Sequence, residues 1–257
     1  MSKLRDWINP EKLNWKHLSG NPNAIPMLEQ NPEKISWDWL SRNPNAIHIL
    51  EQNPEKINWD WISANSNAIY LLENQLTKIK EWKKYNDWRI FPDPSSKQPA
   101  DVNDCFLSEN PNVISLLQSN PEYIDWLSLS FNPNAIQLLE QNPEKITWWA
   151  LSENPNAISL LEQHPDKICW KHLSANPNAL FLLKQHPERV DWYWLSNNSN
   201  PDAIAWLEKY PEKIYWPAIC SNPTAIDLIE KQMLKNSKKI DTLECWSSLS
   251  HNPAIFR

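Results

Sequence analysis

The sequence predicts an all-α solenoid of tandem 22-residue units, and three observations carry the prediction. Residues 21–42, NPNAIPMLEQNPEKISWDWLSR, return as NPNAIHILEQNPEKINWDWISA from Asn43, NPNAIQLLEQNPEKITWWALSE from Asn132 and NPNAISLLEQHPDKICWKHLSA from Asn154. A fixed period of this length marks stacked repeats. Each copy contains two Asn-Pro pairs, and Asn is a favoured helix N-cap while Pro is pre-organised for the first helical position. Finally, 17 Trp and 22 Pro accompany a single Gly in 257 residues; Trp and Pro recur with the period, and so much buriable aromatic area is foreign to a disordered chain.

In chain order, residues 1–20 read as atypical capping half-repeats, with Trp7 and Ile8 ahead of NPEKLNWKHLSG from Asn9. Full units begin at Asn21, Asn43, Asn65, Asn110, Asn132, Asn154, Asn176, Asn200 and Asn222. Within a unit, Asn21 caps a first helix whose Ala24, Ile25 and Leu28 share one face, with Glu29 and Gln30 outside it. Asn31-Pro32 repeats the cap, and Glu33 suits the positive first turn. Residue 36 is again a cap type, as Asn14, Asn58, Asp125, Thr147 and Asp191 are in other units. The middle segment is therefore one tight turn, of α or 3-10 form, before a second helix opened by Trp37 and Leu40.

Helices this short are marginal alone and need their neighbours. The expected core columns include Ile25, Leu28, Ile136, Trp37, Leu40, Trp148 and Trp170. The Asn residues before each Pro are expected to cap and to connect units in ladders along the stack.

The whole of 1–257 reads as a single repeat domain with two departures. Residues 75–104 read as an insertion loop within one unit, and residues 252–257 as an incomplete last repeat. An incomplete repeat leaves an apolar face uncapped or stacks it on a partner, so a homo-oligomer through the C-terminal repeat is one expectation.

Composition narrows the function. A net charge of −6 without a basic stripe argues against nucleic acid. Neither a signal-type apolar region nor a membrane-length run is present, and Cys105, Cys169, Cys220 and Cys245 lack metal-ligand spacing. These features suit reduced thiols and a cytoplasmic location. His164 and His186 occupy equivalent cap positions and read as capping or surface residues rather than metal ligands. The recurring Glu33-Lys34, Glu55-Lys56, Glu144-Lys145 and Asp166-Lys167 read as solvated faces and unit-to-unit ion pairs. With one Gly there is no phosphate-binding loop. No catalytic residue, metal or cofactor is assigned, and the chain is read as non-enzymatic.

The motif SxNPNAIxLLExNPEKIxW closely resembles the Asn-Pro tandem repeats of proteins from large DNA viruses of algae and amoebae, over most of the chain. That resemblance implies a viral origin, in host cytoplasm or virion, more than a function, since those proteins lack an assigned activity. More loosely, the format is similar to the leucine-rich repeat variant, which alternates an α-helix with a 3-10 helix; its iron–sulfur cysteine cluster has no counterpart here.

What varies between units marks a binding face. The two positions after the second-helix Trp include His17, Trp39, Trp61, Trp149, His172, Tyr193 and Trp194, and the position after the first-helix Ile or Leu includes Tyr70 and Phe181. A constant frame with variable aromatics is how repeat proteins build an extended surface for a protein partner. The alternative expectation is a structural virion or assembly component that associates end to end.

Overall fold

A computed structural model describes residues 3–85 and 98–256. Among them the only regular elements are α- and 3-10 helices, with one isolated antiparallel bridge between Leu4 and Phe256.

The second unit shows how the repeat is built. Asn43 accepts the Asn45 N–H at 3.0 Å and opens the 3-10 turn Pro44–Ala46, which runs into the α-helix Ile47–Gln52. The 3-10 turn Pro54–Lys56 follows, and Asn58 caps the second helix Trp59–Ile62 through the Asp60 and Trp61 N–H groups. The second Asn-Pro pair works differently from the expectation. Asn31, Asn53, Asn120 and Asn142 donate from Nδ2 to the carbonyls of Met27, Ile49, Leu116 and Leu138, at 2.7–2.9 Å. They close the end of the preceding helix, whose last carbonyls lack intrahelical partners. His164 and His186, at the same position, make no capping bond; their rings meet Trp148 and Trp170 edge-on at 4.9 and 4.8 Å.

Units are joined by two ladders. In the first, a fully buried Asn donates both Nδ2 hydrogens to carbonyls of the preceding unit. Asn43 reaches Ser19 O and Asn21 O, each at 2.9 Å. The same pair of bonds is made by Asn65, Asn110, Asn132, Asn154, Asn176, Asn198, Asn222 and Asn252. Asn198, two residues before the expected start at Asn200, holds the ladder position; Asn200 caps the helix Pro201–Glu208 and bonds Pro177 O. In the second ladder, a buried Ser Oγ accepts the N–H of the next unit's cap residue, as Ser41 does from Asn58 at 3.0 Å.

The ladders have no free end. Asn21 donates to Ser250 O and Asn252 O at 3.1 and 3.0 Å, and Ser250 Oγ accepts the Asn14 N–H at 2.8 Å. Arg5 N bonds Ile255 O, and the Arg5 guanidinium bonds Ala254 O and Glu230. With Asn21 added to the nine above, ten ladder asparagines form one closed circuit. Residues 252–256, expected to present an uncapped face, are thus covered by residues 4–23 of the same chain.

The core follows the predicted columns with one adjustment. Ala24, Leu28 and Leu40 are fully buried, whereas Ile25, Ile136, Trp37, Trp148 and Trp170 lie half-buried at its margin. Several of the Trp rings lie at a junction under a cation of the next unit. Lys34 Nζ lies 4.5 Å from the Trp15 ring, Lys56 4.3 Å from Trp37 and Arg189 Cζ 5.0 Å from Trp170. Of the recurring Lys residues, Lys34 and Lys56 therefore cover tryptophan, while Lys167 pairs with its sequence neighbour Asp166 at 3.4 Å on the exposed surface.

Residues 75–104 are in part not a loop. The helix Ile69–Tyr85 runs 17 residues and buries Gln75, Leu76 and Ile79. Val102 is also buried, and Asn103 caps the helix Asp104–Glu109. Residues 86–97 of the expected loop lie outside the described residues.

Candidate functional site: a concave aromatic arc

The second helices of successive units pack on one another directly, as Trp37–Arg42 does on Trp59–Ile62, and Trp15–Ser19 on Leu243–His251 across the closure. On each second helix the core Leu, such as Leu40, faces inward to the protein, and the residues one, two and five places after the Trp lie on the opposite side. Those positions of different units converge. His17 stacks on His251 at 4.2 Å and meets Trp39 at 4.8 Å; Trp39 meets Trp61 at 5.2 Å, and Trp61 meets Phe106 at 5.4 Å. A second run joins Phe131, Trp149, His172 and Trp194 at 4.5–5.4 Å, then Tyr193 and Tyr215.

Contacts that skip a unit establish the curvature. Trp39 meets His251, two ladder steps back, at 4.6 Å, and Arg42 lies 5.9 Å from Phe106, two steps ahead. Side chains two units apart touch only where the stack bends toward them, so this is the concave side. The one glycine serves that crowding: a β-carbon on Gly20 would stand 3.2 Å from the Trp39 ring, and its backbone is ordinary right-handed helical.

Polar groups punctuate the arc. Arg42 lies over Trp61 and Phe106. Glu153 Oε2 is 3.4 Å from His172 Nδ1, and Ser247 Oγ 2.6 Å from His17 Nδ1. Burial raises the Glu109 carboxyl above the usual range, opposed by Arg42. Burial, then the charges of His17 and Arg42, lower His251 to about 4, and burial lowers His17 against the pull of Ser247 O.

The sign of the resulting pH dependence follows. Between pH 6.5 and about 4 the unfolded chain holds a proton at residue 251 that the folded chain refuses, so stability falls as pH falls through that window. For a part-buried ring the loss is about 1–2 kcal/mol. Urea denaturation at pH 7.5 and pH 4.5 should show it, and His251→Gln should remove most of the slope; an unchanged slope in that variant contradicts the assignment.

Of the sequence-predicted residues, His17, Trp39, Trp61, Trp149, His172, Tyr193 and Trp194 come together on this side. Trp149 and Tyr193 are its most open members, at 40 and 49 % exposed. Tyr70 and Phe181 do not belong to it: they stand on first helices, Tyr70 bonded to Glu51 and Phe181 66 % exposed. Sequence reasoning missed Phe106, Phe131, Tyr215 and His251. Phe106 follows Asp104, which takes the place of the marker Trp, and Phe131 and His251 sit a turn further along, where no aromatic recurs by rule.

Among the described residues no group of three or more His, Cys, Asp or Glu side chains converges to hold a metal ion, and no helix is long and apolar enough to cross a membrane. Comparison with family models, curated proteins and solved structures finds no match.

Proposed function

We propose that this chain is a closed solenoid that acts as a non-enzymatic scaffold, binding a segment of another protein along the concave aromatic arc. The observation that carries the reading is the convergence of rings from most units on one side, with Trp149 and Tyr193 open to solvent, Arg42 over Trp61 and Phe106, and Glu153 beside His172. Large rigid aromatics with a few charges among them are the composition of interface anchors, because they bury much area at little entropic cost. The viral origin implied by the repeat motif, and a host-cytoplasmic or virion location, belong to the same proposal. End-to-end assembly is the less favoured reading, since the ladder groups that would join two chains are already used within one.

The test is affinity capture from lysate with mass spectrometry, followed by titration of the captured partner in purified form. The native chain is compared with a variant carrying Trp39→Ala, Trp61→Ala, Trp149→Ala and Trp194→Ala, shown by circular dichroism to keep its helix content. Loss of more than about tenfold in Kd is expected, since a single anchor is worth about 1.4 kcal/mol or more. Equal affinity for both would remove the arc as the site.

A further inference from the structure

The second ladder is uniform but for one junction. Nine serines, from Ser19 to Ser250, each accept the N–H of the following unit's cap residue at 2.8–3.2 Å. At the tenth junction the serine is replaced by Cys220, and the residue facing it in the register is Cys245, which here lies inside a helix that begins earlier and is capped by Thr242. The register is independent of any thiol: Cys220 lies four residues after Trp216 and Cys245 one before Trp246, as Ser41 and Asn58 lie relative to Trp37 and Trp59. The helices Trp216–Ser221 and Leu243–His251 are packed together, and both thiols are buried, at 0 and 1 % exposure.

We propose that Cys220 and Cys245 are a disulfide-forming pair that covalently ties the last two units of the closed circuit. A disulfide needs β-carbons about 4 Å apart. The register sets the two cysteines opposite one another across the packed helices Trp216–Ser221 and Leu243–His251, with both side chains buried between them. Elsewhere the same register pairs Cys169 with Ser152, which accepts its N–H at 3.0 Å, so only one junction matches thiol with thiol. Here the Cys245 N–H turns instead to Thr242 Oγ1 at 3.1 Å and its Sγ lies 3.9 Å from Lys239 O, and the two thiols are near enough to shift each other's ionisation. The interaction between the thiols, with burial, pushes Cys220 up; the same interaction, helped by the Thr242 hydroxyl and against burial, holds Cys245 down to about 7, making the Cys245 thiolate the attacking group.

The oxidant is a small disulfide of the glutathione class. The Cys245 thiolate attacks one of its sulfurs and expels a thiolate, which takes up a proton. Cys220 then gives up its proton, attacks Cys245 Sγ in the mixed disulfide and expels the second thiol. One small disulfide is reduced to two thiols as two protein thiols become one disulfide. Because both sulfurs are buried, exchange requires the helix Leu243–His251 to open or to be caught before the circuit closes. Once formed, the bond is shielded from reductant.

The experiment unfolds the full chain, refolds it in glutathione disulfide with glutathione, blocks remaining thiols and maps peptides by mass spectrometry. The expected result is a 220–245 cross-linked peptide lighter by two hydrogens, with Cys105 and Cys169 blocked or carrying glutathione. The urea midpoint should rise relative to the reduced protein. Cys220→Ser, which restores the ladder serine, should refold with native helix content, form no cross-link and show no oxidant-dependent shift. Free thiols at both 220 and 245 in natively refolded protein, under conditions that modify Cys105, would overturn the proposal. So would pairing of either residue with Cys105 or Cys169 in preference.

Discussion

Asn43→Ala is expected to cost about 3–5 kcal/mol in urea denaturation. Its side chain satisfies three backbone groups at once: Ser19 O, Asn21 O and Asn45 N–H, all at 2.9–3.0 Å and in a residue with no exposed surface. Truncation strands two buried carbonyls and removes an N-cap. A buried polar group left unpaired costs about 1–3 kcal/mol and a lost cap about 1 kcal/mol, with some relief where water enters. The decisive comparison is Asn21→Ala. In an open stack Asn21 would have no unit before it, and only the cap would be lost, about 1 kcal/mol. In the closed circuit it donates to Ser250 O and Asn252 O and should cost as much as Asn43. A small loss at Asn21 beside a large one at Asn43 would mean that the circuit is open in solution.

Leu151→Ala should cost about 2–5 kcal/mol, the range for emptying a well-packed leucine site. Leu151 is fully buried on a second helix, and its unit is clamped on both sides, by Asn154 to the unit before and by Asn176 to the unit after. The walls are thus held from collapsing into the cavity, which places the cost toward the upper half of the range. Leu18→Ala reads the same quantity next to the closure. Terminal repeats of an open array are half-solvated and lose less, but Leu18 has no exposed surface and lies under the helix Leu243–His251. Equal losses at 18 and 151 are expected; a loss at 18 below about 1 kcal/mol would contradict the packing at the closure.

The residues themselves determined the repeating half of this protein. The period, the Asn caps at residues such as 43 and 58, the break before each second helix and the buried Leu28 and Leu40 columns all depend on contacts within one unit or between neighbours. Seven of the arc's aromatics were legible for the same reason, because variation against a constant frame is visible without coordinates. Tertiary structure decided the rest. Whether Asn31 caps forward or closes the helix behind it depends on which orphaned backbone group lies in reach. Trp37 and Trp148 sit at the core margin where the next segment, Lys56 over one ring and His164 edge-on to the other, covers them, and Gly20 is small because Trp39 crosses from its neighbour. The closure itself arises from a small rotation repeated at every junction, and no single residue encodes the sum of ten such steps. Only once that sum brings Asn21 to Asn252 does the concave side exist, and with it the meeting of His17, His251 and Trp39 from three different units.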